Sequence, residues 1–184
     1  MQRSLLSAIT GGKRSLNRAP ESFFLEDGGL RGPFNAWLHA PAVGQPAQQL
    51  GEAIRFETDL EPALRELAIL TVAAKWRADY EWWAHRTIAL ETGLTEAAVD
   101  GIKNGALPVS AGPAARAVYD FSDELLTRHR VSDDTYRRTA EMLGDQGVVE
   151  LVTVLGYYSL VSMTLNAFEV AMPQGETRPF NGKS

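Results

Sequence analysis

The chain has 184 residues, 45% of them hydrophobic, a formal net charge of −5 and no cysteine. That length suits one domain with decorated ends, and the acidic balance argues against nucleic acid or an anionic membrane as partner. Without a thiol, disulfides, thiolate metal sites, iron–sulfur clusters and dithiol redox chemistry are excluded.

Residues 1–32 read as an N-terminal arm. The opening "MQRSLLSAITGG" is too brief and too polar in its apolar run for a secretory signal, and no stretch reaches the roughly 20 apolar residues of a membrane span. The reading is a cytoplasmic protein with no membrane partner. Phe23, Phe24 and Leu25 are the hydrophobic anchor of the arm, suited to a surface of this or a neighbouring subunit.

From residue 33 to 173 nearly every segment reads helical. Pro33 suits the first turn of "PFNAWLH", and Pro41 closes it. "AQQLGEAIRFETD" sets Leu50, Ile54 and Glu57 at helical spacing. "EPALRELAILTVAAKWRA" has Pro62 near its start and is almost wholly apolar between Leu64 and Trp76, the pattern of a helix covered on most sides. Asp79 can cap the next helix, 80–92, with Gly93 just past its end. Thr95 and Gly105 bracket a short helix. Pro113 opens another, with Val118, Phe121 and Leu125 as its stripe, and Ser132 caps "DDTYRRTAEMLG". The long run "VVELVTVLGYYSLVSMTLNAFEVAMP" is rich in β-branched residues, but its length without turn signals favours a buried helix ending at Pro173. Residues 174–184 read as a tail. The fold class is all-α, with seven or eight helices and no nucleotide-binding loop.

The segment "RADYEWWAHRTIALETG" draws attention. Glu81 and His85 are four apart and share a helix face. The preceding helix carries Glu66 inside an apolar run, and a short turn at 77–79 makes the two helices an antiparallel hairpin in which His85 travels back toward Glu66. A carboxylate in such a run costs several kcal/mol unless paired, on the order measured for buried charges. Pairing with His85 would orient the ring and raise its basicity. A blander reading stays open: Glu81–His85 as a solvated pair, with Glu66 meeting Arg65 or Lys75. Tyr80, Trp82 and Trp83, taken singly, read as core or interface residues. His39 follows "NAWL" and can point inward, whereas His129 in "TRHR" reads as a solvated helix end. A metal held by His39, Glu81 and His85 lacks HxH or HExxH spacing, so neither a metal nor another cofactor is expected.

"LRGPFNAWLHAP", "RFETDLEPALRELAILTVAAKWRADYEWWAHRTIALETGL" and "GYYSLVSMTLNAFEVAMP" together resemble the carboxymuconolactone decarboxylase family, which includes the AhpD-like alkylhydroperoxidases; the likeness spans about residues 29–173. It implies an AhpD-like helical fold assembling as a homo-oligomer, trimer or hexamer, with sites near subunit contacts. In the redox branch a Glu, two Cys and a His form the centre. Glu66 and His85 match the first and last, but Ala78 and Glu81 stand at the sulfur positions. The chain is therefore similar to the non-redox branch, whose founding activity is cofactor-free decarboxylation of a lactone. The resemblance implies a lyase acting on a small unsaturated lactone or keto acid. His85 is its proton donor or base, Glu66 the residue that orients it, and Glu81 a second proton carrier or, if neutral, a hydrogen-bond donor to the developing oxyanion. Trp37, His39, Tyr80, Trp82 and Tyr158 are the candidate walls. An isomerase or dehydratase, or a silent ligand-binding oligomer, fits the same residues.

Overall fold

A computed structural model describes residues 1–13, 20–26 and 28–180. Residues 14–19 and 27 of the expected arm, and 181–184 of the expected tail, lie outside the described residues. The described chain is all-α: eight α-helices, two short 3₁₀ turns (Pro20–Phe23 and Val109–Ala111) and an isolated bridge between Phe24 and Leu30. Two compact units divide it. One comprises Met1–Thr58 with Thr164–Val170, the other Asp59–Met163 with the described residues from Ala171 onward.

The first unit holds α1 (Gln2–Gly11), α2 (Phe34–His39) and α3 (Pro41–Phe56). Part of the expected arm is thus a helix. Leu5 and Ile9, one turn apart, are fully buried, and the Gln48 side chain of α3 donates to the Ala8 carbonyl at 3.2 Å. Phe23 is buried too. Pro41 opens α3 instead of closing α2, because a residue without an N–H is best placed in a first turn whose N–H groups have no partner. Gly44 is required by packing: a Cβ there would lie 2.6 Å from the Trp37 carbonyl oxygen, so only glycine lets α3 pass α2 this closely.

The second unit is built around α4 (Pro62–Trp76), which packs against α5 (Asp79–Glu91), α6 (Glu96–Lys103) and α7 (Pro113–Arg128). Its continuous run from Glu66 to Ala73 is buried on all sides, as the all-round apolar pattern requires. Arg77 takes a left-handed conformation (φ 49°), ending α4 and reversing the chain into α5. Gly93, at φ 104°, ends the next hairpin arm. Thr95 caps α6 by accepting the Ala98 N–H at 3.2 Å.

The last helix, α8 (Asp133–Ala167), is interrupted at Gly144 (φ 69°, ψ 172°), so its two segments match the two helices expected from the sequence. It ends before Pro173. By length and hydropathy α8 is the one described helix that could cross a membrane, but 56% of its most apolar window is buried inside the fold, as in a core helix.

Candidate active site

The α4–α5 hairpin determines the site. Two neighbours of the tight turn at Arg77 and Ala78 run antiparallel, so residues on facing sides approach across the whole length of the pair. Glu66 of α4 and His85 of α5 meet with 2.6 Å between Oε2 and Nδ1. The other ring nitrogen, Nε2, lies 3.2 Å from Oε1 of Glu81, one turn earlier on α5. One imidazole thus sits between two carboxylates. Glu66, Glu81 and His85 are only 1%, 4% and 5% exposed. Of the alternatives open in the sequence, the buried arrangement is the one formed. Lys75 instead pairs with Asp123 of α7.

Burial is the largest single influence on the ring and opposes its charge. Attraction to Glu66 and then to Glu81, with the hydrogen bonds to each, outweighs it and pushes the His85 pKa from 6.5 up to about 9. At neutral pH the ring is therefore a cation. Nδ1–H donates to Glu66 and Nε2–H points to Glu81. That tautomeric assignment follows from the double protonation: with both nitrogens carrying hydrogen, both are donors.

α8 supplies the next wall. The Tyr158 ring meets His85 edge-on, with centroids 5.1 Å apart, and Tyr157 packs edge-on against Tyr158 at the same distance. Trp82, 2% exposed, follows Glu81 on α5 and meets Phe180 edge-on at 5.3 Å. Tyr80 is half-buried and pairs with Trp83. Trp37 and His39 belong to the other unit, where Trp37 is buried edge-on to Phe34 and His39 is exposed. The structure therefore joins Glu66, Glu81, His85 and Tyr158 in one contact network, flanks it with Trp82, and places Tyr80 to the side.

Sequence reasoning missed the fastening of α5. Asp79 does not cap its own helix; Ala78 occupies the capping position. The Asp79 carboxylate accepts the Phe180 N–H at 2.9 Å and pairs with Arg178 at 3.3 Å. Arg77 donates to the Phe180 carbonyl, and the Arg77 and Lys103 cations lie near the Phe180 ring, 5.8 and 6.0 Å from its centroid. The tail is thus tied to the turn that precedes Glu81. The only local hint was a lone phenylalanine in the polar run "GETRPFNGK".

Among the described residues, no three or more metal-capable side chains are grouped to hold an ion.

Residues 41–124 match the model of the Carboxymuconolactone decarboxylase family. Over those residues the chain is similar to this family. The matched segment contains Glu66, Glu81 and His85, whereas Tyr158 and Phe180 lie beyond it. No curated protein sequence matches the chain significantly. The fold is similar to a crystal structure from Agrobacterium tumefaciens, that of a protein of unknown function described as a candidate AhpD antioxidant defence protein. The TM-score is 0.69 at 14% identity, over 78% of this chain and 99% of that one. At that identity the likeness is one of fold. The chain has no cysteine at all, so the thiol chemistry of an alkylhydroperoxidase has no group to carry it.

Proposed function

We propose that this protein is a cofactor-independent lyase of the carboxymuconolactone decarboxylase type, acting on a small unsaturated lactone or keto acid. The observation that carries this reading is the buried imidazole held between two carboxylates. Loss of carbon dioxide beside a carbonyl breaks one carbon–carbon bond and leaves its electron pair to be taken up by the carbonyl oxygen. The carbanion equivalent is then protonated. His85, kept protonated at neutral pH, supplies an acid for that proton, and Glu66 holds its ring and tunes it. Glu81, at the longer contact, is the group placed to pass a proton between Nε2 and a substrate. Apolar and aromatic walls exclude water and favour loss of charge from a carboxylate. The protein acts on a small molecule in the cytoplasm. It works as a homo-oligomer, trimer or hexamer, a state supported by the exposure of Val149, Val152 and Met163 on α8.

One observation favours a second reading. The three polar groups are so fully covered that a substrate reaches them only when a wall moves. A catalytically silent, ligand-binding oligomer would keep the same cluster for structure alone.

The discriminating experiment is release of carbon dioxide from 4-carboxymuconolactone and small β-keto acids by the unaltered protein and by Glu81→Gln and Glu81→Ala. A proton-transfer role lowers both variants by about 100-fold or more, whereas a role in hydrogen bonding alone leaves Gln near the starting rate. Turnover no faster than in His85→Ala, across the series, would remove the lyase reading and leave the silent oligomer.

A further inference from the structure

Among the serines and threonines of the second unit's helices that are at most 1% exposed, the hydroxyls follow one habit. Thr71, Ser122 and Thr139 each donate to the carbonyl one turn earlier on their own helix, at 2.8, 2.6 and 2.8 Å. Ser162 breaks it. Its side chain is 0% exposed, yet its Oγ has no hydrogen-bond partner, although the Tyr158 carbonyl stands four residues before it. An unpaired buried hydroxyl needs a reason, since the helix offers a carbonyl to any serine that turns toward it.

The position of Ser162 supplies one. Residues four apart on a helix share a face. Ser162 therefore lies one turn along α8 from Tyr158, the residue whose ring meets His85. The hydroxyl extends the polar cluster along α8 by a helical pitch, about 5 Å.

We propose that the Ser162 hydroxyl is a substrate-binding donor, taking a carbonyl or carboxylate oxygen of a small molecule whose reacting carbon lies at His85. This rests on the lyase reading above and assigns the group that orients its substrate. The hydroxyl lacks a partner in the free protein because its partner is the ligand. Its cost is borne by the fold for the sake of binding, as is common where function and stability compete.

The test compares Ser162→Ala with Ser122→Ala, which removes a hydroxyl already satisfied by its own helix. The probe is 2(5H)-furanone, an unsubstituted unsaturated lactone, titrated while the His85 ring signals are followed by NMR; thermal midpoints are measured on the same proteins. The expected result is furanone binding weakened about tenfold in Ser162→Ala and unchanged in Ser122→Ala, a difference of about 1.4 kcal/mol. The Ser162→Ala midpoint should equal or exceed that of the unaltered protein. Equal binding in the two variants overturns the assignment of Ser162 and leaves the lyase reading standing. A Ser162→Ala midpoint lower than that of Ser122→Ala overturns it as well, because the hydroxyl is then structural, satisfied by buried water. A His85 signal that furanone leaves unmoved in the unaltered protein counts against the substrate class, and the Ser162 assignment falls with it.

Discussion

Two ion pairs in this protein have the same spacing and the same length. Glu81 and His85 on α5, and Asp134 and Arg138 on α8, are each four residues apart with 3.2 Å between the charged atoms. Their side chains are 5% and 6% exposed in the first pair and 65% and 44% in the second. The exposed pair shares its charges with Arg137 and Asp120 and with water, so it is a mild ornament of a helix start. The buried pair has α4 against it, and α4 brings Glu66 to the opposite ring nitrogen. Local spacing is identical in the two cases. What differs is the helix on the other side, and that alone converts a surface pair into a cationic imidazole with two acids.

The comparison breaks most sharply at Glu66. Glu66→Ala leaves a buried ring with half its counter-charge removed, and is expected to cost on the order of 3–5 kcal/mol in urea unfolding. Glu66→Gln keeps the shape and one hydrogen bond, so it should cost less stability and should affect activity more than stability. A Glu66→Ala protein as stable as the unaltered one would mean that the buried pair is no different in kind from the exposed one.

The second test is pH. The folded-state pKa of His85, about 9, lies above its ordinary 6.5. The stabilisation from the charged ring is therefore complete below pH 6.5, declines above it, and is lost as pH passes through about 9. The total is on the order of 3 kcal/mol. Unfolding free energies measured from pH 6 to 10 should show this decline, and it should vanish in His85→Gln. A flat profile in the unaltered protein would show that the two carboxylates do not hold the proton.

The third test addresses the tail that fastens α5. Phe180 is buried at 8% exposure after the exposed residues 174–178, so it is the apolar anchor of the described tail. Exchange of the imidazole C2 hydrogen with solvent, read by mass spectrometry, should rise about tenfold at His85 in Phe180→Ala as local opening becomes easier. The exposed His39 and His129 serve as internal references. Arg178→Ala, which loses one half-exposed ion pair, should move His85 in the same direction by less. No change at His85 in either variant would detach the tail from the site.

The smallest effect belongs to the exposed pair. Asp134→Ala should change stability by less than about 1 kcal/mol, and less still in high salt. A loss as large as that of Glu66→Ala would erase the distinction between the two pairs.

The helical character of the chain, the α4–α5 hairpin and the identities of Glu66, Glu81 and His85 were legible in the sequence. All three rest on local signals: proline and glycine punctuation, unbroken apolar runs, and a spacing of four. The physical reason is that hairpin topology follows from a short turn, and a lone carboxylate in an apolar helix demands a partner. The helix at residues 2–11 was hidden because it buries only Leu5 and Ile9, too few positions to show a period. Tertiary structure alone decided that α5 turns Glu81 inward, that Lys75 reaches Asp123 and leaves Glu66 to His85, that Tyr158 closes on the ring, and that Asp79 gives up its own helix to hold Phe180 from about a hundred residues away. Each is a contact between segments distant in sequence. No propensity or period encodes such a contact, because its energy exists only once the packed helices have brought the groups together and removed the water between them.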